Sequence, residues 1–184
     1  MYKMEQAPGL VVLTTGRVWC QICLSALHCM AEATRMQGDF EGARSLYRRS
    51  LELNRKHGDQ LVIGVETANL AAVELHFGEV DAAAQLWREA LRVALQLGNR
   101  YLLPYPVAGL GEAAAAERNW ERAASLLGAA SGLFKASGGV IDPADVPLFE
   151  DALAKTRDHL EPAAFEKAWS AGESMTPEQV QAFA

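Results

Sequence analysis

The chain repeats itself with a period of 40 residues, and this feature restricts its fold more than any other. Segments that begin at 38, 78 and 118 align without a gap. Each segment places a small residue four positions before a large apolar one: Ala43 with Tyr47, Ala83 with Trp87, and Ala123 with Leu127. Residues four apart lie on one face of an α-helix, so this spacing predicts helices that cross closely at the small residue. A stack of similar units that bury apolar faces against each other is a solenoid.

Each repeat is predicted to be a pair of helices. The first helices are expected over residues 14–37, 61–77 and 104–117, and the second over 40–57, 80–97 and 120–137. Asp39 and Asn119 are suited to cap second helices, because a side-chain oxygen there accepts a backbone N–H bond. Glycines at 58, 98 and 138 suit the left-handed residue that ends a helix. The repeats thus span about 14–58, 61–98 and 104–138, within a single predicted domain of residues 1–184.

The turn inside each pair resembles the tetratricopeptide repeat. Gly38-Asp39-Phe40 followed by Ala43 and Tyr47 is the best copy. Gly78-Glu79-Val80 is a close second, whereas the third turn has Arg118 in place of the glycine. The resemblance implies an all-α protein, a right-handed α-solenoid of helix pairs. It also implies a binding scaffold and not an enzyme.

The remaining residues, about 143–184, are predicted to form a helical cap over the apolar edge of the last repeat. Helices are expected at about 143–160, 162–171 and 176–183. Asp142-Pro143 is predicted to start the first of them, and Thr176 with Gln179 forms a capping box for the last. The tail resembles the C-terminal end of bacterial multidomain regulators with a signalling ATPase. The residues that carry this resemblance are Arg122–Ala124, Leu126–Ala129, Phe165, Ala168, Trp169, Gly172, Met175 and Thr176. It implies a sensor or interaction role in signalling or transcription regulation.

Composition argues against several classes of function. The net charge of −6 disfavours a nucleic-acid surface, which needs a basic face to neutralise phosphates. No apolar run is long enough to span a membrane, and the first residues do not resemble a signal peptide. Three cysteines confined to residues 20–29 do not make a secreted disulfide framework. The cytoplasm is the predicted location.

The stretch VWCQIC, which contains Cys20 and Cys23, supplies the main alternative. A Cys-x-x-Cys motif at a strand–helix junction indicates a thiol redox centre. No strand is predicted at this point of the chain, so both cysteines are expected to be buried helical residues, and the redox protein stays the alternative. His28 and Cys29 nearby do not complete a metal site. No phosphate-binding loop or nucleophile motif occurs, so no cofactor, metal or catalytic residue is predicted.

The concave wall, built from the first helices, is the predicted binding site. A protein or peptide partner is expected there, with a small-molecule effector or a merely solvated scaffold surface as alternatives. The predicted groove positions are Ser25, His28, Glu32, Arg35, Met36, Asn69, Leu75, His76, Tyr105 and Glu112.

The start of the chain is predicted to be a contact surface. Val18, Trp19 and Ile22 are large apolar residues in a segment with few charges. Exposed apolar patches of this kind usually mark an interface. We therefore expect a homodimer through the first helix, and a purely structural dimerisation module is a further alternative.

Overall fold

The computed structural model describes residues 26–184, which form α-helices and connecting turns without a β-strand. Helix α1 is described over residues 26–36. It is followed by α2 (Phe40–His57), α3 (Gln60–His76), α4 (Val80–Gln96), α5 (Pro104–Ala116), α6 (Trp120–Ser137), α7 (Val146–His159), α8 (Pro162–Glu173) and α9 (Pro177–Phe183). The predicted positions outside the described residues are Val18, Trp19, Cys20, Ile22, Cys23 and Ser25.

The helices stack as three pairs, which confirms the predicted all-α repeat solenoid. The small residue of each second helix is completely buried at Ala43, Ala83 and Ala123. The large residue four positions later is buried as well, at Tyr47, Trp87 and Leu127. This pattern follows from packing, because a small residue lets two backbones approach and the large one fills the adjoining hole. None of the helices in residues 26–184 has the length and apolar content needed to cross a membrane.

The turns within the pairs share one backbone conformation despite a change of residue type. Gly38 and Gly78 have φ angles of 82° and 78°, in the left-handed region that glycine adopts without steric cost. Arg118 occupies the equivalent place in the third repeat with a φ of 61°. The geometry of the turn is therefore kept in the third pair although the residue is unfavourable for it.

Two of the predicted caps are confirmed and two are wrong. Asp39 accepts a 2.9 Å hydrogen bond from Gly42 N, and Thr176 forms the predicted capping box with Gln179. Asn119 makes no capping hydrogen bond with its side chain. Asp142 does not begin a helix; its Oδ1 accepts a 2.9 Å bond from Ala144 N and so closes a turn.

Helix α7 begins three residues later than Asp142-Pro143 would require, after Asp145. The Asp145 side chain caps no backbone group of α7. The reason is that its carboxylate pairs with Arg35 of α1. A distant ion pair thus takes the place of a local cap.

Helix α8 attaches to α6, the last helix of the third repeat, at two glycine residues. Helix α8 packs on α6, and a Cβ atom at Gly172 would lie 1.8 Å from the backbone oxygen of Ser125. On the α6 side, a Cβ atom at Gly128 would lie 2.4 Å from the oxygen of Trp169. Helix α7 packs on α5 and α6 instead. The turn before α7, residues 142–145, consequently faces the inner side of the solenoid.

Candidate binding site

A cavity of about 310 Å³ lies on the inner side of the solenoid, and we call it the groove cavity. Helices α1, α3 and α5 supply most of its wall, and the turn before α7 closes one side. Its lining residues are His28, Glu32, Arg35, Leu61, Val65, Ala68, Asn69, Asn99, Tyr101, Leu102, Tyr105, Asp142 and Asp145. The cavity therefore combines an apolar part with charged groups, as ligand sites usually do.

Arg35 is the central cation of the groove cavity. Its Nη1 donates a 2.8 Å hydrogen bond to Asp145 Oδ1, and its Nη2 donates a 3.2 Å bond to Glu32 Oε2. Burial lowers the pKa of Arg35, but the neighbouring carboxylates, Asp145 foremost, raise it overall. Arg35 therefore stays charged, and it holds the turn before α7 against α1.

Glu32 connects three side chains from three helices. Besides Arg35, Glu32 Oε1 accepts a hydrogen bond from Tyr47 Oη and a 2.8 Å bond from Asn69 Nδ2. Burial is the main reason that the pKa of Tyr47 lies above its ordinary value, so this hydroxyl remains a donor. Glu32 is thus fully engaged within the protein. Asn69 Oδ1 makes no hydrogen bond within residues 26–184.

His28 forms the opposite end of the cavity. Its Nδ1 lies 3.3 Å from Glu66 Oε1, and Ser50 Oγ donates a 2.7 Å hydrogen bond to the same oxygen. Glu66 is completely buried. The interaction with Glu66 raises the pKa of His28, although partial burial opposes this shift. Glu66 therefore stabilises the charged form of the imidazole.

A second, smaller cavity of about 20 Å³, the inner recess, adjoins the groove cavity. The two share the lining residues Ala68, Asn69, Tyr105 and Asp145. The recess is also lined by the aromatic rings of Trp87, Phe134 and Phe149 and by the carboxyl group of Glu112. A volume of this size holds roughly one water-sized group.

Glu112 is the most unusual group of the inner recess. It is 6% exposed and makes no hydrogen bond or ion pair with any described residue. Burial raises the pKa of Glu112 to about 8, and the nearby Asp145 adds to the shift while Arg35 opposes it. Near neutral pH the recess thus contains a carboxylic acid with no hydrogen-bond partner among residues 26–184.

The structure brings together part of the predicted groove. His28, Glu32, Arg35, Asn69 and Tyr105 line the groove cavity, and Glu112 lines the recess. The other predicted positions in the described residues lie elsewhere. Leu75 lines a separate hollow between α3, α4, α5 and α7, and Glu112 lines that hollow as well as the recess. His76 stacks on Phe40 with ring centroids 3.5 Å apart, and Met36 is 66% exposed and lines none of these cavities.

Several lining residues were not among the predicted positions. Asn99 and Tyr101 lie in the turn between α4 and α5, and Asp142 and Asp145 lie in the turn before α7. Counting inward positions along the first helices alone misses residues that connecting turns contribute. No sequence signal identifies these residues, because the burial of Arg35, which calls for an acidic partner besides Glu32, is visible only in the structure.

The two cavities present charged and hydrogen-bonding groups beside apolar side chains, a combination suited to binding a ligand. Within the described part of the chain, no three His, Cys, Asp or Glu side chains are placed to hold a metal ion. Cys29 is a free, exposed thiol.

A comparison of the sequence with models of known protein families agrees with the observed helical-repeat fold. Residues 23–57, which include α2, match the family model for the tetratricopeptide repeat. The match supports a tetratricopeptide-type protein. Proteins of this type are typically non-enzymatic scaffolds, and their repeats generally mediate the binding of protein partners. Searches of curated proteins and of solved structures returned no significant match.

Proposed function

We propose that this tetratricopeptide-type chain binds a segment of a protein partner in the groove cavity. One observation carries the proposal: three first helices place His28, Asn69 and Tyr105 around one cavity of about 310 Å³ on the inner wall. Exposed apolar side chains at its edge, Leu61 at 43% and Tyr101 at 57%, offer surface that a bound segment would bury. Ion pairs and hydrogen bonds already hold the walls in place, so the cavity needs little reorganisation on binding.

Peptide selection with a matched pair of variants tests this proposal. Peptides are selected from a random displayed library on the purified protein, and their affinities are measured by fluorescence anisotropy. Leu61→Ser removes apolar surface from the cavity edge, and Leu97→Ser removes the same surface at a residue that is 44% exposed and does not line the cavity. We expect Leu61→Ser to weaken binding about tenfold, since burying a leucine contributes about 1.5–3 kcal/mol. Leu97→Ser should bind like the wild type.

Two results would contradict the proposal. One is a library that yields no binding peptide. The other is equal affinity for both variants, which would place the bound peptide outside the groove cavity.

We further propose that residues 1–184 form one helical domain that acts as the sensor or interaction part of a bacterial transcription or signalling regulator. Support comes from the tail, in which the resemblance to such regulators rests on residues such as Phe165, Trp169 and Gly172. Sequencing the complete reading frame is the test. A nucleotide-binding domain encoded in the same frame is expected, and a frame without any further signalling domain would refute the proposal.

Self-association through the N-terminal segment is a separate proposal, and it rests on the apolar residues Val18, Trp19 and Ile22. Light scattering of the wild type and of a Val18→Glu, Ile22→Lys double variant tests it. We expect a dimer for the wild type and a monomer for the variant. A wild type that stays monomeric at ~100 μM, well above ordinary specific dissociation constants, would contradict it.

A further inference from the structure

We propose that the partner segment inserts a lysine side chain into the groove cavity, with its ammonium group in the inner recess between Asp145 and Glu112. This inference rests on the proposed function and adds the chemistry of the residue that the cavity selects. Three observations support it: the distribution of charge, the unpaired acceptors and the size of the recess.

The charge of the site favours a cation. Three carboxylates line the groove cavity, at Glu32, Asp142 and Asp145, against the guanidinium of Arg35 and the imidazole of His28, and the recess adds the neutral acid Glu112. Arg35 is already bound by Glu32 and Asp145, and His28 lies against the buried Glu66. An acidic excess therefore remains, and a positive ligand group would complement it.

Two hydrogen-bonding groups that the groove cavity and the recess share are unused acceptors, while Nε of Arg35, a residue of the groove cavity alone, is a buried donor without a partner among the described residues. Asp145 uses Oδ1 for Arg35, and its Oδ2 makes no hydrogen bond within the described part of the chain. Asn69 donates to Glu32 and leaves Oδ1 unused among residues 26–184. Both residues line the groove cavity and the recess alike. A ligand that donates hydrogen bonds in more than one direction, as an ammonium group does, would satisfy them.

Glu112 points to the same ligand independently of the acidic surface. Its side chain is more than nine-tenths buried and has no partner in residues 26–184. No described residue makes a hydrogen bond with this carboxyl group, so a cation in the recess would supply a partner for it. The recess walls formed by Trp87 and Phe149 add aromatic faces, which attract a desolvated cation.

The size of the recess separates lysine from other cations. About 20 Å³ accommodates one water-sized group. An ammonium group has that size, whereas a planar guanidinium or a trimethylammonium group is larger. The aliphatic stem of lysine would lie in the groove cavity along Leu61, Val65 and Tyr105, with its charged end buried and its stem against apolar surface.

Peptide mixtures with one fixed position test the inference without altering the protein. The central residue is lysine, arginine, norleucine or trimethyl-lysine, the flanking positions are randomised, and binding to the wild type is measured by fluorescence anisotropy. We expect the lysine mixture to bind about tenfold more tightly than the norleucine mixture, because the ammonium group adds hydrogen bonds to charged acceptors. Arginine and trimethyl-lysine mixtures should resemble norleucine.

The outcomes separate this inference from the proposed function. Equal binding of all four mixtures would leave a peptide-binding groove and overturn the lysine assignment. Equal binding of lysine and arginine would likewise overturn it, because the recess would then not discriminate by size. Failure of every mixture to bind would contradict the proposed function itself.

A variant pair links the preference to the recess. Glu112→Gln replaces the recess carboxyl by an amide of equal shape and breaks no hydrogen bond to a described residue, whereas Glu117→Gln removes a carboxyl from an exposed residue near the end of α5. Both variants are first shown to melt cooperatively. We expect Glu112→Gln to lose the preference for lysine over norleucine and Glu117→Gln to keep it. A Glu112→Gln protein with an unchanged preference would refute the role of the recess.

Discussion

Arg35 and Asp145 are separated by 110 residues in sequence, yet Arg35 Nη1 donates a 2.8 Å hydrogen bond to Asp145 Oδ1. The bond joins the first described helix to the turn before α7 and so closes the groove cavity on one side. Arg35 is almost completely buried, and only 21% of the Asp145 side chain is exposed. The contact therefore ties the turn before α7 to α1 and bounds the groove cavity on one side.

Replacing Arg35 by methionine should destabilise the protein by about 3 kcal/mol, because removing one member of a buried ion pair leaves the other uncompensated. Urea unfolding followed by circular dichroism measures the change. Lys155→Met serves as the control, since its pair with Asp151 is more than half exposed and should contribute less than about 1 kcal/mol. Equal losses for the two variants would show that the Arg35 pair has no special energetic role.

Glu112 should make stability fall as pH rises. Burial raises its pKa to about 8 in the folded protein, from the ordinary glutamate value of 4.5. The folded state thus binds the proton more tightly than the unfolded state. The contribution of Glu112 protonation to the stability of the folded protein is fully present below pH 4.5 and is lost progressively up to about pH 8.

Glu112→Gln should remove this dependence, because an amide does not ionise. A pKa difference of one corresponds to about 1.4 kcal/mol. At alkaline pH the free energy of unfolding of the variant should therefore exceed that of the wild type by roughly 3–5 kcal/mol. Unfolding free energies of both proteins at acidic, neutral and alkaline pH provide the measurement. If the unfolding free energies of the two proteins changed with pH in parallel, the raised pKa of Glu112 would be contradicted.

Arg118→Gly should stabilise the protein by about 1 kcal/mol. Arg118 has a φ of 61°. A residue with a side chain loses about 1 kcal/mol in this left-handed region, whereas glycine does not. Glycine already occupies the equivalent turns at Gly38 and Gly78. Thermal melting compares this variant with Arg92→Gly, an exposed change inside α4 that should cost about 1 kcal/mol. If both variants lost stability, backbone strain at Arg118 would be refuted.

Gly172→Ala should weaken the attachment of α8 to α6. A Cβ atom there would lie 1.8 Å from Ser125 O, so one of the backbones must move. Overpacking of this kind costs about 1–3 kcal/mol. Ser170→Ala, an exposed change on the same helix, should stay within about 0.5 kcal/mol of the wild type in urea unfolding. If Gly172→Ala were equally harmless, α8 would not pack on α6 as closely as described.

The repeat architecture could be predicted from the amino-acid sequence, because its signals are local. Ala43 and Tyr47 share a helix face through their spacing alone, and the same holds at Ala83 and Ala123. The cap at Thr176 and the left-handed glycine at Gly58 depend on bonds that span only a few residues. Positions such as His28 and Glu32 could be assigned to the inner wall for the same reason.

How the groove is closed and charged depends instead on contacts between distant parts of the chain. Asn119 and Asp142 have the right residue type for a cap, yet neither caps a helix in the folded protein. Asp145 reaches Arg35, and Glu112 is buried, because α7 packs on α5 and α6. Spacing along one helix determines which residues share a face, but the path of a returning segment depends on the packing of all helices together.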